Sequence, residues 1–216
     1  MEMKSMTTAD PLVAKKNRYT LLALVAIFAM PPLLGWLFIM NPHWLPGTTI
    51  NHGELIHPPR PVSDLQLSFI ETGQPLDWSE LRDKWVFVVI SNGDCDQQCL
   101  SQLIHIRQLR KALAADRRRV ERIFIQLPDT ADHTPVPPPM AGLEGTLLLK
   151  SDNPGTLQAV RALFELEQVD ASSHMFIIDP RGDLMMRHNL VQLKPKEILK
   201  DLEMLLKASA NWVQGE

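Results

Sequence analysis

The longest apolar run of this 216-residue chain lies close to its N-terminus. Residues 21–40 carry no charged side chain, and a helix of that length spans the roughly 30 Å hydrocarbon core of a bilayer. Basic residues precede the run at Lys15, Lys16 and Arg18. The positive-inside rule therefore predicts a cytoplasmic tail at 1–18, a transmembrane helix at 19–40 and a domain on the other side of the membrane.

No small-x-small cleavage site follows Met40, so the run is interpreted as an uncleaved anchor, with a cleaved signal peptide as the alternative. In a bacterium such a chain is predicted to be a single-pass protein of the inner membrane. Its domain would face the periplasm, an oxidising compartment in which disulfides persist.

From Val62 onward the apolar positions alternate between the period of strands and the period of helices. Strands are predicted at 62–70, 85–91, 120–127, 146–149, 175–178 and 183–188, and helices at 96–117, 152–166 and 195–208. Residues 41–61, rich in Pro, Gly and His, are predicted to be a linker or an arm lying on the domain, and 211–216 a tail. The order of elements within 62–210 favours an α/β sandwich of the thioredoxin-like type.

Composition and motifs argue against several classes of function. A formal net charge of −3 argues against a nucleic-acid partner and against a role on an anionic membrane surface. The chain has no G-x-G-x-x-G and no G-x-x-x-x-G-K-[ST] motif, so dinucleotide and nucleoside-triphosphate loops of those types are absent. Two cysteines are too few for a zinc site of four cysteines. The basic run at 117–119 is interpreted as a solvated helix end.

The two cysteines carry the clearest chemical signal. Cys95 and Cys99 follow the apolar strand at 85–91 and stand where a helical pattern begins. Residues four apart are neighbours on one helix face, so the two thiols are expected to lie side by side. Cys95, at the loop end, is expected to be the more exposed sulfur, whereas Cys99 belongs to the apolar stripe of the helix.

Three interpretations of this pair stay open. Thiolates are soft ligands that favour Cu(I), and an accessible thiolate also exchanges disulfides with other proteins. The third interpretation is a structural disulfide, although cross-linking so short a loop adds little stability. His174 is a candidate third metal ligand, and its alternative is a strand residue that points wherever the pleat sends it.

Other nitrogen and sulfur donors have simpler interpretations. The histidines at positions 43, 52 and 57 are interpreted as solvated linker side chains, with a secondary metal site as the alternative. His105 is interpreted as a surface residue. Thioether donors are present at Met140, Met175, Met185 and Met186, of which the last three are predicted to pack in or beside the hairpin.

Several short motifs occur together between Arg60 and Leu206. They are RPV at 60–62, GQPL at 73–76, LRDKWV at 81–86, the C-x-x-x-C of Cys95 and Cys99, Val169-Asp170 and FIIDPRG at 176–182. In this combination the chain resembles the SCO/SenC family, the membrane-anchored thioredoxin-like factors of cytochrome c oxidase assembly.

The resemblance implies Cu(I) bound by Cys95 and Cys99, and a cytochrome c oxidase subunit or assembly factor as the partner. The family's copper-binding histidine directly follows the Val-Asp pair. Ala171 stands at that position here, and the nearest histidine is His174. The family's cysteines are usually each followed by proline, whereas residues 96 and 100 are Asp and Leu.

The leading hypothesis is an oxidase-assembly factor that delivers Cu(I), or reduces target thiols, at the outer face of the membrane. A general thiol–disulfide oxidoreductase is the second hypothesis. A non-catalytic assembly scaffold is the third, and whether the chain is an enzyme depends on which of the three holds.

Overall fold

The computed structural model describes residues 11–41, 44, 51–129, 136–138, 142–192 and 194–209, with side chains from Arg18 onward. The chain divides into two compact units, Met1–Ile50 and Asn51–Glu216. The predicted tail at 211–216 and most of the predicted tail at 1–18 lie outside the described residues.

The first unit contains the long helix α1 (Pro11–Met40). Its segment Arg18–Met40 is long and apolar enough to cross a membrane, judged by length and composition. The helix continues through Pro31 and Pro32, as membrane helices tolerate. A helix therefore stands where the sequence predicts the anchor, while its orientation stays a prediction.

The second unit is built on one seven-stranded mixed sheet. The strands are β1 (Glu54–Pro61), β2 (Ser68–Phe69), β3 (Trp85–Asn92), β4 (Val120–Leu127), β5 (Leu147–Lys150), β6 (His174–Ile178) and β7 (Asp183–Asn189). Their spatial order is β1-β7-β6-β3-β4-β5-β2. The pairs β3–β4 and β4–β5 are parallel, and the other four pairs are antiparallel.

Within the described residues of this unit, three α-helices cover the sheet: α2 (Gln97–Ala112), α3 (Pro154–Leu163) and α4 (Pro195–Ala208). Helices α2 and α4 share one core, to which α2 contributes Leu103 and Ile106 and α4 contributes Ile198. Helix α3 contributes Val160 to a second core on the opposite face. We call these two sides of the sheet the α2/α4 face and the α3 face. The predicted α/β sandwich is confirmed.

Strand β3 forms the centre of the sheet. It is buried from Trp85 through Ser91, and it pairs with β4 on one side and with β6 on the other. Phe87 and Val89 point to the α2/α4 face, whereas Val88 points to the α3 face. A strand buried on both faces needs an unbroken apolar run, which is why the sequence predicts this element so well.

Several element ends differ from the predictions. The strand predicted at 62–70 is reduced to the two residues of β2, and the end of the helix predicted at 96–117 is instead a 3₁₀ helix, Ala114–Arg119. Helix α3 is capped by Asn153, not by Asp152. The Asn153 side-chain oxygen accepts the N–H of Gly155 at 2.8 Å, while the Asp152 carboxylate lies 3.0 Å from Lys150 Nζ.

Part of the predicted linker belongs to the folded unit. Strand β1 lies at the edge of the sheet against β7, with a register shift between Leu55 and Arg60. An edge strand tolerates its three prolines because one side of it needs no N–H donors. The alternative of an arm lying on the domain therefore describes Glu54–Pro61, and a free linker does not. Most of 42–50 lies outside the described residues.

A buried carboxylate holds the start of this arm. Asp201 of α4, only 1 % exposed, accepts the backbone N–H groups of His52 and Gly53 at 2.7 and 2.8 Å, and its other oxygen lies 3.0 Å from His52 Nδ1. His188 of β7 is fully buried, with Nε2 3.1 Å from the same carboxylate. A Cβ on Gly53 would lie 2.5 Å from this Nε2, so the close approach requires glycine.

Burial and hydrogen bonding set the charges of this cluster. Burial lowers the pKa of His188, and this effect outweighs the opposite effect of the Asp201 carboxylate. Burial by itself raises the pKa of Asp201, but hydrogen bonds from His52, Gly53 and His188 outweigh it, so the pKa of Asp201 lies below its usual value. The cluster is therefore a carboxylate beside a neutral His188 imidazole.

We expect the folded unit to lose stability as the pH falls below about 6.5, the pKa of an unfolded histidine. A lowered folded-state pKa means that the unfolded state binds more protons, so the stability present above the unfolded pKa of His188, about 6.5, is lost below it. Denaturant titration of the full chain in detergent measures this, with the exposed His105→Gln variant as control. A His188→Gln variant with an undiminished pH slope would contradict it.

Asp201→Asn should destabilise the folded unit by about 2–3 kcal/mol, because hydrogen bonds to a buried charge are replaced by weaker or missing ones. Glu203→Gln is the matched control, since Glu203 is exposed on the same helix. Its effect should stay within about 0.5 kcal/mol. Equal midpoints of urea unfolding for the two variants would show that the carboxylate does not hold the arm.

Candidate functional site

The thiol site lies where β3 ends. The chain leaves the sheet after Asn92, turns at Gly93 with φ of 80° and enters α2 at Gln97. Glycine adopts this left-handed conformation without strain. The Gly93 N–H donates to the carbonyl oxygen of Leu127 at 2.7 Å, which ties the turn to the end of β4. The turn thus brings Cys95 to the start of the helix.

A disulfide joins Cys95 and Cys99, whose Cα atoms are 5.3 Å apart. Asp96 caps α2, and its carboxylate accepts the N–H of Cys99 at 2.8 Å. Cys99 is 1 % exposed and belongs to the core of the α2/α4 face, whereas Cys95 is partly exposed at the edge of that core. Cys95 is the more exposed residue of the pair, as the sequence predicts.

A 3₁₀ helix, Ala171–Ser173, lies beside the first turn of α2. The two are linked because the Gln98 side-chain amide donates to the hydroxyl of Ser173 at 3.3 Å. The hydroxyls of Ser172 and Ser173 both donate to the carboxylate of Asp170. Burial by itself raises the pKa of Asp170, but these hydrogen bonds outweigh it, so the pKa lies below its usual value.

His174 follows this 3₁₀ helix but lies on the opposite face of the sheet from Cys99. Along β6, Met175 packs on the α2/α4 face and Phe176 on the α3 face. His174 takes the side of Phe176, with ring centroids 6.3 Å apart, and its Nδ1–H donates to the carbonyl oxygen of Asp170 at 2.8 Å. Ala171, at the position of the family's histidine, is 3 % exposed, and its methyl side chain cannot ligate a metal ion.

Cys95, Cys99 and His174 are therefore not gathered around one point. Among the residues that the structure describes, no three or more His, Cys, Asp or Glu side chains are arranged to hold a metal ion. In their reduced form the two cysteines fit Cu(I) as soft donors, and ligation by His174 stays a prediction.

The other histidine and methionine side chains considered as metal ligands are paired, exposed or packed in the core, or they lie outside the described residues. His52 pairs with Asp201, while His57 and His105 are exposed. Met175 and Met186 are buried in the core of the α2/α4 face, and the partly buried Met185 packs against that core, as predicted. His43 and Met140 lie outside the described residues.

A family model described as "Transmembrane-like, thioredoxin-like, C-terminal domain" matches residues 85–209, which is more than half of the chain. The chain belongs to this family. Comparison with curated proteins finds no match.

Solved structures of similar fold come from several organisms. Apo Sco1 from Thermus thermophilus is 19% identical, with a TM-score of 0.54 over 74% of this chain and 100% of that chain. Yeast Sco1 with copper bound is 15% identical, with a TM-score of 0.51 over 75% and 96%. A putative electron transfer protein from Aquifex aeolicus VF5 is 11% identical, with a TM-score of 0.50 over 68% and 96%.

These similarities confirm the predicted resemblance to the SCO/SenC proteins at the level of fold. This member of the transmembrane-like, thioredoxin-like family combines that fold with one N-terminal apolar helix. At these identities the similarity shows the fold alone, and the chemistry depends on the residues of this chain.

After reduction, we expect Cys95 to be alkylated about tenfold or more faster than Cys99, because attack on a thiol requires an accessible sulfur. Timed labelling of the reduced full chain in detergent, followed by mass spectrometry of the peptides, measures both rates. The Cys99→Ser variant should keep the Cys95 rate. Equal rates for the two cysteines in the wild type would contradict the difference in burial.

Proposed function

We propose that this chain is a cytochrome c oxidase assembly factor that acts through Cys95 and Cys99 at the outer face of the membrane. The observation that carries the proposal is the disulfide at the end of β3, with one cysteine partly exposed and its partner in the core. The SCO/SenC resemblance of the sequence and the fold supports the oxidase pathway. The proposal includes a single-pass anchor in the inner membrane with a cytoplasmic N-terminus.

Thiol–disulfide exchange is the chemistry that the geometry supports best. In the reduced protein, the partly exposed Cys95 thiolate attacks a client disulfide, forms a mixed disulfide and releases one client thiolate. Cys99 then attacks the Cys95 sulfur, which releases the second client thiol and closes the Cys95–Cys99 disulfide. Two electrons pass to the client, and an external dithiol must return them.

Delivery of Cu(I) is the second candidate, with the ion as cargo. Two adjacent thiolates are soft donors that suit Cu(I), and the copper-bound yeast Sco1 shares the fold. Cys95 and Cys99 would hold the ion after reduction of the disulfide. His174 is the weakest of the three proposed ligands because its ring lies on the α3 face.

The identity of the client protein distinguishes this proposal from its alternatives. The Cys99→Ser variant, expressed in the source membrane, should trap the client as a mixed disulfide on Cys95, since the resolving thiol is gone. We expect an oxidase subunit or assembly factor, identified by mass spectrometry, and no adduct on Cys95→Ser. A broad range of unrelated proteins would indicate a general oxidoreductase. Full oxidase activity in a Cys95→Ser/Cys99→Ser strain would indicate a non-catalytic scaffold.

Reduced protein should bind one Cu(I), and Cys95→Ser or Cys99→Ser should each abolish binding because a single thiolate is left. His174→Ala should weaken binding by less than about threefold, since its ring does not face the sulfurs. Competition with a chromogenic Cu(I) chelator measures all three. Loss of binding in His174→Ala as complete as in the cysteine variants would place the histidine in the site.

A further inference from the structure

A second polar site lies at the far end of α2 from the thiols. A cavity of about 230 Å³ opens between the last turns of α2, the start of β4 and the turn before β5. Its lining residues are Arg107, Arg110, Lys111, Arg117, Arg122 and Glu144. Five cations face one carboxylate there, so the cavity carries a strong excess of positive charge.

Arg122 is the buried member of this cluster. Its neighbours in β4, Val120 and Phe124, point to the α2/α4 face, so strand alternation turns Arg122 to that face too. Arg122 is 3 % exposed, and its Nη2 donates to the carbonyl oxygen of Glu144 at 2.6 Å. Its Nε and Nη1 have no hydrogen-bond partner. A guanidinium in this state is unfavourable unless an acceptor joins it.

The acidic residues nearby do not supply that acceptor. The carboxylate of Glu121 lies 3.0 Å from Lys84 Nζ and 3.9 Å from Arg110 Nη2. The carboxylate of Glu144 accepts the backbone N–H of Gly142 at 3.0 Å. Burial lowers the pKa of Arg122, and the charges of Arg110 and Arg107 lower it further. Repulsion among the cations is therefore incompletely compensated.

Three of the lining cations have no carboxylate of their own. Within the part of the chain that the structure describes, Arg107, Lys111 and Arg117 form no ion pair within 4.0 Å. Lys111 and Arg117 are exposed and Arg107 is partly exposed, so a ligand reaches them from solvent.

We propose that this cavity binds a phosphate group, either as free phosphate or as the phosphomonoester headgroup of a lipid. The guanidinium fork of Arg122 presents N–H donors whose geometry matches two oxygens of a tetrahedral oxyanion. The other four cations of the lining, Arg107, Arg110, Lys111 and Arg117, surround it with charge. The cavity is smaller than the roughly 300–1,000 Å³ of pockets for drug-sized ligands, which suits a single phosphate group. The site uses no residue of the thiol chemistry.

Inorganic phosphate is the first probe. Phosphate added to the full chain in detergent at constant ionic strength should raise the unfolding temperature, whereas chloride should not. The ³¹P signal of the phosphate should also broaden saturably as it binds. Arg117→Gln and Arg107→Gln should each weaken binding about tenfold, because a charge-assisted contact is lost. Arg118→Gln is the matched control, since Arg118 is exposed beside Arg117 but does not line the cavity.

The outcomes separate a site from general attraction. No saturable response to phosphate in the wild type overturns the proposal. Equal weakening by Arg118→Gln and Arg117→Gln also overturns it, because only overall charge would then matter. Arg122→Met should abolish binding. If that variant fails to fold, the solvent-accessible Arg107→Gln variant still decides the question, with circular dichroism to verify its fold.

A membrane arm distinguishes the two sources of the phosphate group. The full chain is reconstituted in phosphatidylcholine vesicles with or without phosphatidic acid, and inorganic phosphate is titrated against each. A headgroup ligand should raise the apparent Kd for phosphate when phosphatidic acid is present, and Arg107→Gln should remove that difference. An unchanged Kd assigns the site to free phosphate.

Discussion

Burial of β3 on both faces is the constraint on which the thiol site depends. From Trp85 to Ser91 the strand has no exposed residue, and neighbouring strands take its hydrogen bonds on both sides. The first residues of this segment that reach solvent therefore lie at the end of the strand and beyond it. The turn at Gly93 carries the chain there, and Cys99 returns to the same core one helical turn later. One sulfur is thus fixed by packing, while its partner stays partly exposed to solvent.

The same sheet decides where His174 points. Strand β6 pairs with β3 so that Met175 stands opposite Val89, and both belong to the core of the α2/α4 face. A slip of one residue would turn the apolar side chains of β6 to the wrong faces, so the register is strongly held. His174 therefore cannot reach the thiols by a change of register. Among the described residues, Ser172 and Ser173 lie beside the first turn of α2, and both of their hydroxyls already donate to Asp170.

Sequence reasoning succeeded where burial imposes a long, regular pattern. The central strand, the hairpin at its side and α4 (Pro195–Ala208) follow their apolar periods closely, and so does the long N-terminal helix. Strand β1 was not predicted because its prolines are typical of a linker, and only its pairing with β7 makes it a strand. The cap at Asn153 was missed because two neighbouring polar residues were equally suitable in sequence.

The two buried charges, Asp201 and Arg122, are not among the predictions made from the sequence. Asp201 has the position of an ordinary charged residue in an amphipathic helix, and its partner His52 is 149 residues away along the chain. No local pattern signals such a contact. Arg122 did leave a signal, because it is a charged residue at an inward position of the strand VERIFIQL. A charge that interrupts the apolar side of a buried strand indicates a buried partner or a ligand, and the strand assignment alone passed over it.

Helix α2 separates two kinds of polar chemistry at its two ends. Asp96 satisfies the first turn beside the thiols, and Arg110 and Lys111 stand in the last turn, where the helix dipole favours cations. The dipole accounts for cations near the C-terminal carbonyls. It does not account for a guanidinium that enters from β4, is buried and keeps open N–H groups. The buried guanidinium with unpartnered N–H groups distinguishes a ligand site from ordinary capping of a helix end. The thiol site at the other end of α2 is chemically independent of this cavity.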